Sequence, residues 1–115
     1  MHDYSAALQS HQRALVIRLK LFGEEHPQTA DSYRQLGVTQ NNIHDYSAAL
    51  QSHQHALAIH IKLFGEEHES TAESYRELGV TQNNMQHYNA ALQSLQHALA
   101  TVSYTHLTLP TSDLV

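Results

Sequence analysis

Apolar and small side chains recur along this chain at helical spacing, in stretches that alternate between longer and shorter. Tyr46, Ala49, Leu50, His53, Ala56, Leu57 and Leu63 make one stripe, and Ala30, Tyr33, Leu36, Gly37 and Gln40 make another. The pattern predicts helices near residues 3–22, 28–41, 45–64, 70–83 and 87–101, joined by short turns. End signals agree with it. Asp45 is placed to cap a helix start with its carboxylate, and Gly65 to supply the left-handed residue that ends that helix. Gly-Glu-Glu-His then reads as a turn, after which Pro27 opens the next helix, where a missing amide proton costs nothing; Glu69 takes its place one copy later.

The alternation reflects a repeat. His2 to Ile43 recurs from His44 to Met85 with scattered conservative changes, a period of 42 residues, and a third copy begins at Gln86 and stops after Thr101. Each period is a helix pair that cannot bury its apolar face alone, so neighbouring pairs must stack to make a core. The fold class expected is all-α, with antiparallel helix-pair repeats stacked as an α-solenoid of about five helices. Ala7, Ala49 and Ala91 occupy equivalent places, as do Ala14, Ala56 and Ala98, and mark close helix contacts that larger residues would overpack. Gly37 and Gly79 stand mid-helix at a propensity cost of about 1 kcal/mol, which places a neighbouring helix too close for a side chain.

Composition narrows the partners. Eleven acidic against six basic residues give a formal charge of -5, which supplies no positive field for a phosphate backbone, so nucleic acid is not expected. Without cysteine there is no disulfide, thiolate metal site or thiol nucleophile. No apolar stretch approaches the roughly 20 residues that span a bilayer, and the N-terminus lacks secretory features. A cytoplasmic protein with no membrane partner is the expectation.

Tyr33, Leu36, Gly37, Tyr46, Ala49 and Ala56 resemble the tetratricopeptide pattern, and Tyr75, Leu78, Gly79, Tyr88, Ala91 and Ala98 resemble it again. Tyr4, Ala7 and Ala14 match the second half of a further unit. Gln40 and Gln82 depart from the pattern where an aromatic is usual, as do His11 and His53 where Phe is usual. The long period, with Leu-Phe-Gly-Glu-Glu-His-Pro between the helices, looks like the kinesin-light-chain and nephrocystin-type subgroup. The resemblance implies a right-handed superhelix whose concave groove, lined by first helices, holds a peptide or another protein. Similar repeats also follow nucleotide-binding switch modules in signalling proteins, so a structural or regulatory array with no groove ligand is the alternative.

Both ends carry their own expectation. Met1 aligns in phase with Ile43 and Met85, as an internal methionine of a longer array does. Residues 1–101 are read as the repeat region, a fragment of a larger protein. Val102 to Thr111 resemble a translated transposase-type sequencing adapter, and 102–115 are set aside as a non-native or disordered tail. A truncated array also exposes its last helix, so self-association is expected.

Candidate contacts for a partner are Arg34, Val38, Asn41, Arg76, Val80 and Asn83. Arg34 and Arg76 stand one period apart and suit acidic side chains of a ligand; the competing reading is an i,i+3 pairing with Asp31 and Glu73 on a solvated face. Val38 and Val80 stand where a peptide-carboxylate clamp needs Asn, which favours an apolar or internal peptide motif. Asn41, Asn42, Asn83 and Asn84 suit a peptide backbone, although Asn pairs near a turn more often satisfy the local backbone. Eleven histidines invite a metal, but His53 with His55 and His55 with His60 lack ligand spacing, so neither a metal site nor a cofactor is expected. Neither phosphate loop, nucleophile elbow nor recurrent inward carboxylate pair appears, and no enzymatic activity is assigned. His11 and His53 sit at core-like positions where protonation below pH about 6.5 weakens the fold.

Overall fold

A computed structural model describes residues 3–100. Helices α1 (Tyr4–Phe22), α2 (Pro27–Asn42), α3 (Tyr46–Phe64) and α4 (Glu69–Asn84) follow one another, with α5 over 88–100 among the described residues. Each lies within one residue of the boundaries the periodicity predicts, except where α5 meets residue 101. That residue and the tail at 102–115, together with Met1 and His2, lie outside the described residues. α2 and α4 form one layer, bridged by an Asn84 Nδ2–Asn41 Oδ1 hydrogen bond of 3.0 Å, and α1, α3 and α5 form the other.

Two kinds of turn alternate, and their chemistry fixes the direction of each helix. Gly23 and Gly65 end the longer helices at φ 83° and 86° with ψ near 180°. Positive φ was expected at Gly65; the extended ψ puts both residues in a region essentially confined to glycine. Across each turn a threonine hydroxyl, Thr29 or Thr71, donates to the glycine carbonyl at 2.7 Å. The shorter helices end differently, with His44 and Gln86 at φ 67° and 66°. There Asp45 N–H donates to the Gln40 carbonyl and His44 N–H to the Asn41 carbonyl, a Schellman arrangement built without glycine.

Asp3 and Asp45 cap α1 and α3 by accepting from Ala6 and Ala48 amides at 3.1 and 3.4 Å. The caps of α2 and α4 are histidines. His26 Nδ1 accepts from Gln28 N–H at 3.1 Å and His68 Nδ1 from Ser70 N–H at 3.0 Å. Each imidazole is braced by a stacked phenyl ring, Phe22 or Phe64, at a centroid distance of 4.3 Å.

The core is built from small residues. Ala30, Leu36, Ala49, Ala56, Ile59, Ala72, Leu78 and Ala91 are buried, with Thr29, Ser32, Ser52, Thr71, Ser74 and Thr81 among them. α3 is covered on both sides, so it buries Ser52 and Ile59 besides the expected Ala49, His53 and Ala56, while Leu50 and Leu57 are half-buried and Leu63 is exposed. The equivalent alanines behave unequally: Ala49, Ala56 and Ala91 are buried, and Ala7, Ala14 and Ala98 only partly. A methyl group on Gly37 would stand 2.7 Å from the His53 ring, and one on Gly79 would stand 2.8 Å from Leu95 Cγ. Both glycines thus mark close approach, as their mid-helix cost implied.

The glutamines that break the aromatic pattern have partners. Ser52 Oγ donates to Gln40 Oε1 at 2.6 Å, and Ser94 Oγ donates to Gln82 Oε1 at 2.7 Å. A half-buried amide with a matched, buried hydroxyl stands where an aromatic ring is usual, so the departure is satisfied rather than left as a polar defect.

Candidate functional site

α2 and α4 run side by side, and the i,i+3/i+4 spacing on each brings its expected contact residues to a shared surface. Val38, Asn41 and Asn42 from α2 meet Arg76, Glu77, Val80 and Thr81 from α4 around a pocket of about 130 Å³, with His53 of α3 in its wall. Four of the six candidate contacts, Val38, Asn41, Arg76 and Val80, line it. Arg34 does not; it borders a separate depression of about 420 Å³ with Pro27, Asp31, His60, Phe64, Glu69, Ser70 and Glu73. Asn83 is exposed and lines neither.

Charged groups form a chain across three helices. Arg18 of α1 meets Asp31 at 3.4 Å, Arg34 meets Asp31 at 3.3 Å and Glu77 at 3.4 Å, and Arg76 lies 3.8 Å from Glu77 while pairing with Glu73. The i,i+3 partners considered for both arginines are therefore engaged. Arg34 also links the two copies through Glu77, which has no counterpart in the first copy, where Gln35 stands.

Glu77 and His53 share the buried centre of this arrangement. Burial pushes the Glu77 carboxyl up, against the lowering pull of Arg34. Burial and then the Arg34 guanidinium lower the His53 imidazole to about 4. His53 Nδ1 lies 3.4 Å from Glu77 Oε2, yet Glu77 Oε2 makes no hydrogen bond, and neither does the buried Thr81 Oγ1. Sequence reasoning missed Glu77 and Thr81. The signal available was the Gln35-to-Glu77 change between otherwise matching copies.

Other histidines serve in packing. His55 stacks on Tyr33 at 4.6 Å and His97 on Tyr75 at 4.7 Å, while His60 Nδ1 lies 2.6 Å from Ser74 Oγ. Burial lowers His60, with His68 the next cause. Among the described residues no group of three His, Asp or Glu side chains is arranged to hold a metal ion, and no helix is long and apolar enough to cross a membrane.

Stacked, near-identical helix pairs with short turns define a helical-repeat solenoid, the class of fold in which neighbouring units supply each other's core. The model of the tetratricopeptide repeat family matches residues 1–61 and 42–102, and the chain belongs to that family. No curated protein matches the chain.

Proposed function

We propose that this chain is a protein-interaction scaffold whose α2–α4 surface receives a peptide segment of a partner protein. Tetratricopeptide repeats are in general protein-interaction modules, which supports the class of function. The pocket formed jointly by two successive copies carries the particular reading. It combines apolar walls, Val38 and Val80, with amide and charged groups, the mixture that fixes both affinity and orientation in a binding cleft. Val38, Asn41, Arg76 and Val80 are the first contacts, and Arg34 and Asn83 extend the surface to either side. The engaged state of Arg34 and Arg76 favours a ligand held by apolar and hydrogen-bonding contacts over one captured by bare guanidinium groups.

The 42-residue period supports placement in the kinesin-light-chain and nephrocystin-like subgroup, and with it a cytoplasmic adaptor without catalytic turnover. The test is direct. Peptides selected from a random displayed library against the chain are titrated into isotopically labelled protein. Shifts are expected at Val38, Asn41, Arg76 and Val80, with binding weakened at least about tenfold by Val80→Asp. Shifts confined to α1 or α5 would instead place binding on the end helices.

A further inference from the structure

We infer that this chain associates with further copies of itself head to tail, the apolar face of α1 in one copy docking on the apolar stripe of α5 in the next. This contact lies on the two flanks of the solenoid, away from the α2–α4 groove. The repeat itself shows each flank in a covered and an uncovered setting. Leu8 and Leu15 of α1, and Leu50 and Leu57 of α3, are half-buried, with α2 packed on the first helix and α4 on the second. Their equivalents on α5, Leu92 and Leu99, are 56% and 64% exposed. They stand in one line with Tyr88 and Leu95, at i, i+4, i+7 and i+11, so α5 presents a continuous apolar stripe. The opposite flank differs in the same way. Ile17 is 55% exposed where its equivalent Ile59 is buried, and Val16 and Leu21 are exposed on the same helix.

Charge and coverage select the pairing. α1 carries Arg13, Arg18 and Lys20 and no carboxylate. Over 88–100 α5 has no Asp, Glu, Lys or Arg, and the turn before α4 holds the exposed Glu66 and Glu67. Packing α1 on α1 would set Arg13 and Lys20 against their own copies and leave both α5 stripes in water. Packing α5 on α5 would leave both α1 faces in water. A head-to-tail contact covers both kinds of face, and being heterologous it repeats from copy to copy instead of stopping at a two-fold dimer. The direction of docking follows from the fold. Short turns reverse the chain at each step, so α1, α3 and α5 run the same way. A copy stacked in that sense lays its α1 parallel to α5. Lys62, near the end of α3, reaches Glu25 in the turn before α2 at 2.7 Å, and by the same register turn 65–68 lies toward the C-terminal end of α5. The Lys20 end of the incoming α1 therefore arrives at the edge that carries Glu66 and Glu67, and the charges of the two faces are complementary.

Two substitutions at exposed positions separate the flanks: Ile17→Asp on α1 and Leu92→Asp on α5. Each is made in the whole chain, and melting curves confirm that it is folded. Masses are then read by sedimentation equilibrium over a range of concentrations. The wild type is expected to climb past the mass of a dimer, and each variant alone to remain a monomer. An equimolar mixture of the two is expected to form a dimer and nothing larger, because one variant keeps α5 intact and the other keeps α1. If Ile17→Asp still dimerises while Leu92→Asp is monomeric, α5 pairs with itself; the converse result means that α1 does. Either outcome overturns the head-to-tail contact. So does a mixture that stays monomeric, or two variants that associate as the wild type does. A wild type that is monomeric throughout overturns it as well, and leaves the two flanks to a helix of a different protein.

Discussion

His53 shows how one side chain ties packing to solution conditions. It lies against Gly37, where no Cβ fits, and its pKa is depressed from 6.5 to about 4 by burial. A depressed histidine favours the neutral folded state, so its contribution is fully present above pH 6.5 and is lost as pH falls from there toward 4. The size is about 3 kcal/mol at most, with His60 acting in the same direction. Glu77 acts in the opposite one: its raised carboxyl favours folding below its unfolded value and loses that advantage as pH rises. Denaturation midpoints measured between pH 4 and 7 should rise with pH, and His53→Leu, the residue the third copy carries at Leu95, should flatten the profile. Gly37→Ala is the companion test. The new methyl group would meet a buried ring at 2.7 Å, so a loss of about 1–3 kcal/mol is expected despite the better helix propensity of alanine. The glycine was legible as a point of close approach from its mid-helix position alone. That the neighbour is a histidine, and that Glu77 shares its pocket, was not, because sequence spacing locates a face of a helix and not the three-helix junction where faces meet.

At the level of the helices, the boundaries were legible because caps and turns repeat in phase with the apolar stripe. Asp45 and Pro27 announced the starts of α3 and α2; the start of α4 was harder, since Glu69 stands in the place of Pro27 and histidine, here stacked on a phenyl ring, is seldom read as a cap. The ends at His44 and Gln86 gave no glycine signal, and backbone bonds to Gln40, Asn41, Gln82 and Asn83 carry them instead. The buried width of α3 was underestimated for a related reason: a single stripe describes a helix packed on one side, and α3 is packed on two. Between α2 and α4 the Arg34–Glu77 contact joins copies through a largely buried carboxylate. Removing its partner with Arg34→Ala should cost about 2 kcal/mol, whereas Arg76→Ala, on a half-exposed side chain, should cost less than about 1 kcal/mol. Urea unfolding at neutral pH separates the two, and equal losses would assign Glu77 no special dependence on Arg34.

For the molecule as a whole, the two flanks differ from the middle. Val16, Ile17 and Leu21 on α1, and Tyr88, Leu92 and Leu99 on α5, are exposed, although Ile59, the equivalent of Ile17, is 7% exposed beneath its neighbours. Such end faces should drive association of the isolated chain, and sedimentation should show a mean mass that rises with concentration in the micromolar range. A single monomeric species at all concentrations would show that these faces are tolerated in water. The hydrogen bonds between Ser52 and Gln40, and between Ser94 and Gln82, both cross from one 42-residue unit to the next in the same register. A unit copied and inserted in frame would therefore arrive with its buried hydroxyl and half-buried amide already matched to the units on either side, so the length of such an array is free to drift by duplication without unpairing this serine and glutamine.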